Sequence, residues 1–229
     1  MNAPFRATAA VLAAAALLVP GCATTVVGTA AAPQDAPALN TSVAMPTTTP
    51  PPAKPISLES LVRSAVRTSA LFWQTQGVDV EAEAVPVTGA LTCASWRDNS
   101  GSSAVLCETT ALPLVKYQVS EMESRRANGG DLAVKIIVAH EVGHAAQVVG
   151  GFTTAKQDSV NAELAADCAS GAALADAGVA RTDAEAAIPA TALGKKNKGS
   201  SLTPEQRTGA FFAGFDGTIS PMGCFSYEG

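Results

Sequence analysis

Both histidines of this 229-residue chain fall four apart, at His140 and His144 in the segment HEVGH. Four residues carry a helix forward by about 6 Å and back to the same face, so both imidazoles can reach one metal ion. The chain around them must therefore be helical and must bring these rings to a cleft. The neighbouring sequence agrees. Val134, Ile137, Val138 and Val142 supply a broad apolar surface, Gly129 and Gly130 precede it, and Asp131 can cap the start. Glycines follow Val149, so a helix is expected over roughly Leu132 to Val149.

Two imidazoles at this spacing with an acid between them are the HExxH arrangement of zinc peptidases, with Glu141 placed to serve water rather than the metal. A protein zinc site of this kind commonly takes a third protein ligand, and the chain has no further histidine. NAELAADCASG offers Glu163 and Asp167, again four apart on one helical face. Glu163 is the preferred third ligand. Asp167 can accept a proton from the distal nitrogen of one ligand histidine, which fixes the tautomer and raises ligand basicity. An exposed helix face is the plain alternative, but AELAADCASGAALA is strongly apolar around the two acids, and an unpaired buried carboxylate is costly. Asp158 is a weaker candidate, since its place near the helix start also suits a cap.

The rest of the chain reads as an exported protein. MNAPFR gives a short basic head, and a 14-residue apolar run, ATAAVLAAAALLVP, is too short to span a bilayer but suits an export signal. The run ends in VPGC, which looks like a bacterial lipobox with Cys22 as the acylated N-terminus, although Pro20 departs from the usual pattern. Simple secretion and an uncleaved anchor are the alternatives. Residues 1–21 are thus read as signal, and 22–56, rich in Ala, Thr and Pro, as a lipidated start and tether. Residues 57–229 are long enough for one domain.

Four cysteines remain beyond Cys22: Cys93, Cys107, Cys168 and Cys224. Outside the cytoplasm they can form two disulfides in three connectivities. The preferred pairing joins Cys93 to Cys107 around the turn-rich DNSGSS, and Cys168 to Cys224 between a central helix and the C-terminal tail. No CxxC occurs, which argues against a cysteine zinc site. The formal charge of -5 and the lack of a basic patch argue against a nucleic-acid partner. Lys195, Lys196 and Lys198 read as a solvated turn.

A helix is expected over ISLESLVRSAVRTSALFWQTQG, capped by Ser57 and stopped near Gly77, with Phe72 and Trp73 in the core. VDVEAEAVPV suggests a strand, and ALTCASW with SAVLCETT a small hairpin or loop pair. Two further helices are expected over about Val160 to Ala177 and Thr203 to Phe215, the latter with Pro204 in its first turn. The domain is expected to be α+β and mainly helical, of zincin-like form.

The segments GDLAVKIIVAHEVGHAAQ, ELAADCASG and EQRTGAFFAGFDG, in that order, resemble the neutral zinc metallopeptidase family of bacteria over roughly residues 70–226. The resemblance implies that His140, His144 and Glu163 bind Zn2+, that Glu141 is catalytic, that an acid falls at Asp167, and that two disulfides form. The family's commonly histidine-rich continuation after the second ligand is Ala145 here. The implied reaction is metal-assisted hydrolysis of peptide bonds in a polypeptide or a cell-wall peptide at the extracytoplasmic face of the bacterial cell membrane. A zinc amidase of the cell wall and an inactive binding lipoprotein are the rivals. Tyr117, Tyr227 and Arg207 are candidates to support the oxyanion, with Arg207 better suited to a salt bridge between helices.

Overall fold

A computed structural model of the chain describes residues 55–93, 102–108, 112–152, 159–194 and 201–227. The expected signal, the Cys22 anchor, the tether up to residue 54, most of DNSGSS, Asp158 and the lysine turn lie outside the described residues.

Helix α1 spans Leu58–Thr75. It starts where expected because the Ser57 hydroxyl accepts the Ser60 amide at 3.2 Å, and the chain turns away at Gly77 with a φ of 83°. Strands β1 (Glu83–Val87), β2 (Ala104–Cys107) and β3 (Leu114–Gln118) form one sheet in the order β1-β3-β2. β1 runs parallel to β3 and β2 antiparallel to it. Among the described residues the expected hairpin or loop pair contributes the strand β2, and its partner is LVKYQ, a segment that alternates too briefly to announce itself.

Helix α2 covers Val119–Val149 and breaks its helical geometry at Gly130, where φ is 69° and ψ is -172°. The expected helix is its second half; the first half, VSEMESRRANG, was not anticipated. The two glycines do different work. Gly130 takes a backbone conformation that L side chains rarely adopt. At Gly129, an added Cβ would sit 2.5 Å from the Ala190 Cβ, so its small size admits a packing neighbour. Asp131 accepts from Arg126 Nε at 2.7 Å, bracing the kink.

Helices α3 (Ser159–Asp176), α4 (Arg181–Ala187) and α5 (Pro204–Phe215) follow, with 3-10 turns at Ile188–Ala190 and Met222–Ser226. Thr203 and Gln206 close a capping box ahead of Pro204, as the sequence suggests for this start. Helix α4 was not expected, being a short alanine-rich element without a side-chain cap.

The second half of α2 is buried on two sides, which explains its unusual hydrophobicity. Val134, Val138, Val142, Ala145 and Ala146 join α1, Trp73 and the sheet residues Val115 and Tyr117 in one core. Ala133, Ile136 and Ala139 join Leu174, Ile188, Leu193 and Phe211 in another. By length and composition α2 could cross a membrane, yet 72% of its apolar window is buried inside this domain. It is accounted for as a core helix.

Helices α3 and α5 cross almost backbone to backbone. A Cβ on Gly171 would lie 2.0 Å from the Phe211 carbonyl oxygen, and one on Gly214 would lie 2.0 Å from that of Cys168. Beside this crossing a disulfide joins Cys168 to Cys224 across 56 residues of chain. In the chain-entropy account a loop of that length contributes about 4 kcal/mol. A second disulfide joins Cys93 to Cys107 at the end of β2.

Candidate metal centre

Helix α2 carries His140, Glu141 and His144, while α3 carries Glu163 and Asp167. Their approach depends on the glycine inside HEVGH. A Cβ at Gly143 would lie 3.1 Å from the Ala169 Cβ and 3.2 Å from the Ala166 carbonyl oxygen, tighter than ordinary packing allows. The motif therefore places the histidines and also admits the helix that brings the acid.

The three groups converge. His140 Nε2 lies 3.1 Å from His144 Nε2 and 3.3 Å from Glu163 Oε2, and His144 Nε2 lies 3.3 Å from Glu163 Oε1. Ligand atoms held about 2.1 Å from one zinc at tetrahedral angles sit about 3.4 Å apart, so these separations match the edges of such a site. Three acceptor groups this close repel one another unless a cation or a proton lies among them. His140, His144 and Glu163 form the His/His/Glu cluster of zinc proteases and are geometrically suited to hold a zinc ion.

A proton on His140 is the electrostatic alternative to a cation. Burial disfavours the His140 imidazolium, but Asp167 and then Glu163 outweigh it and push the pKa up to about 10. Burial alone would raise the Glu163 pKa, yet the two histidines hold it well below the usual carboxylate range. Its side chain is 40% exposed, so this coupling is partly screened by solvent. Glu141 behaves differently. Burial raises its pKa against the pull of His140 and His144, with the nearby Glu163 adding to the rise and the Leu106 backbone of β2 opposing it. It is 8% exposed. A buried acid with a raised pKa beside a metal cluster has the character of a proton acceptor and donor.

Each histidine is held from behind. Asp167 Oδ1 lies 2.8 Å from His140 Nδ1. That contact is bent away from hydrogen-bond linearity, since the Nδ1 has no well-aligned partner, so charge contributes more to it than direction. Asp167 is completely buried, and Arg207 of α5 grips it through Nε to Oδ2 at 2.8 Å and through a terminal nitrogen to Oδ1 at 2.8 Å. The same terminal nitrogen reaches Glu163 Oε2 at 3.2 Å. Arg207 is thus the salt bridge between helices that its residue type suggests.

Tyr117 is buried in the main core, and its phenol pKa is raised by burial and by Glu59, with Arg63 opposing. These contacts tie it to α1 rather than to the histidine cluster. Tyr227 packs against the small cluster of Leu164, Leu202 and Ala210.

One participant is not among the residues singled out from the sequence. Gln147 accepts at Oε1, 2.8 Å from His144 Nδ1, and donates from Nε2 to the Ala162 carbonyl at 3.1 Å. A signal for it exists: it is a polar residue three places after His144 in an otherwise apolar run, and it is completely buried.

Comparison with protein-family models, with curated proteins and with solved structures gives no match for this chain.

Proposed function

We propose that this chain is a zinc-dependent endopeptidase working at the extracytoplasmic face of a bacterial membrane. The observation that carries the reading is the convergence of His140, His144 and Glu163 with the buried acid Glu141 beside them. In this reading His140, His144 and Glu163 hold the ion. Bound zinc supplies Lewis-acid polarisation of the scissile carbonyl and lowers the pKa of water. Glu141 takes the proton from the attacking water and returns it to the departing amine. Its raised pKa suits both halves of that shuttle, because the group must hold the proton between steps. Asp167 and Arg207 keep His140 oriented toward the ion.

A peptide substrate is favoured by the position of β2. Among the described residues this strand is at the edge of the sheet, and it packs against α2, the helix that carries Glu141. An extended chain lying along that edge would bring its peptide groups past the acid. The resemblance to the neutral zinc metallopeptidase family supports the same activity. The VPGC segment supports a lipid anchor at Cys22, and the two disulfides suit an oxidising compartment. Exposure of the zinc-loaded protein to a proteome-derived peptide library and to cell-wall fragments tests the substrate class. Cleavage within library peptides is expected. Cleavage of cell-wall fragments alone would transfer the proposal to the amidase reading, and cleavage of neither would favour a binding protein.

A further inference from the structure

Beyond the ligands and the acid, we infer that Gln147 is a positioning residue that sets the tautomer of His144 and thereby exposes Nε2 for metal binding. The inference rests on the zinc reading for its consequence, though not for its geometry. The Gln147 amide has one satisfactory orientation. With Nε2 donating to the Ala162 carbonyl at 3.1 Å, Oε1 is left facing His144 Nδ1 at 2.8 Å. The flipped amide would set Oε1 against that carbonyl, pairing two acceptors. A carbonyl of α3 therefore fixes the amide, and the amide requires a proton on His144 Nδ1. In the neutral ring Nε2 must then carry the lone pair.

The other contacts agree with this assignment. His144 Nε2 is the nitrogen that points into the cluster, 3.1 Å from His140 Nε2 and 3.3 Å from Glu163 Oε1. An Nε2 lone pair directed there is the donor that a metal would need. Gln147 is completely buried, so water does not compete for the acceptor role. Ala162 also adjoins Glu163, so the same amide ties the second histidine to the helix segment that presents the acidic ligand.

The two histidines are thus supported in chemically different ways. His140 is backed by a carboxylate whose charge is balanced by Arg207, whereas His144 is backed by a neutral amide. The neutral partner orients the ring without adding negative charge to a site that already contains Glu163, Glu141 and Asp167.

The test begins with the metal-free wild-type protein, whose ring nitrogens are read by long-range proton–nitrogen-15 NMR where His144 is neutral. The Nδ1–H form is expected to dominate at His144; a dominant Nε2–H form would overturn the inference without any variant. Zinc affinity by chelator competition follows for Gln147→Leu and Gln147→Glu. Loss of the acceptor in Gln147→Leu is expected to weaken zinc by about 10- to 100-fold and to mix the His144 tautomers. Gln147→Glu keeps an acceptor facing His144 Nδ1 but loses the donor to the Ala162 carbonyl, so it is expected to hold the single tautomer and to retain zinc more tightly than Gln147→Leu. Equal weakening in both variants, with both tautomers unchanged, would show that the residue only pins α2 to α3 and would refute the inference. Wild-type protein that takes up no zinc while His144 remains in the Nδ1–H form would refute the zinc reading and leave the tautomer assignment standing.

Discussion

Arg207 and Asp167 form a two-pronged ion pair that joins α5 to α3, with both nitrogen–oxygen separations at 2.8 Å. Asp167 in turn lies against His140, so an arginine that need not touch substrate controls the ring that would bind metal. Replacing Arg207 with leucine leaves a fully buried carboxylate with only His140 to offset it. Breaking such a pair from one side typically costs about 3–5 kcal/mol. Denaturant unfolding of Arg207→Leu should show a loss in this range, and an unchanged midpoint would contradict the role assigned to the pair.

The α3–α5 crossing makes a contrast within one helix. Gly214→Ala drives a methyl into the Cys168 carbonyl, and the backbone has nowhere to retreat without separating the helices. A loss of at least about 1–3 kcal/mol is expected, with weaker zinc retention because the crossing also sets the reach of Arg207. Gly209 lies in the same helix, exposed and with nothing within 4 Å of an added Cβ. Gly209→Ala should therefore stabilise by about 0.5–1 kcal/mol through helix propensity. Thermal melts of the two variants should move in opposite directions.

Glu163→Ala removes the only acid in the His/His/Glu cluster. Zinc should then be retained much more weakly while the fold persists, because Glu163 is partly exposed and its removal leaves Asp167 still paired with Arg207. Metal content after dialysis checks this. Unchanged affinity would direct attention to Asp167 or Asp158 as the ligand.

The raised His140 pKa gives a signed pH dependence. The metal-free folded protein holds this proton more tightly than the unfolded chain, so the associated stability is fully present below about pH 6.5. It is lost as pH rises through the folded value of about 10. Zinc needs the unprotonated ring, so uptake between about pH 7 and 9 should release about one proton per ion. Calorimetry in buffers of different ionisation enthalpy counts that proton, and an absence of release would contradict the protonated resting state.

The sequence reading reached the cluster because histidine is scarce in this chain and HEVGH sets a definite spacing. Glu163 and Asp167 were legible because two acids four apart stood out in an alanine-rich helix. The Arg207 bridge was legible only as a residue type, since nothing local identifies its partner 40 residues away. The helix before Gly130 was missed because two consecutive glycines look like a loop, whereas here one turns the chain and the other admits Ala190. β3 was missed because LVKYQ is short and gains its identity from β1 and β2 on either side. Gln147 was missed for a related reason: an amide signals a role only when its two partners are known.

The most direct test of the central claim compares zinc content and peptide hydrolysis in wild-type protein and in Glu141→Gln. The substitution keeps the shape of the side chain and leaves His140, His144 and Glu163 in place, so it separates metal holding from proton transfer. Both proteins should bind zinc with one stoichiometry, and only the wild type should turn over peptide. Normal turnover by Glu141→Gln would contradict the account.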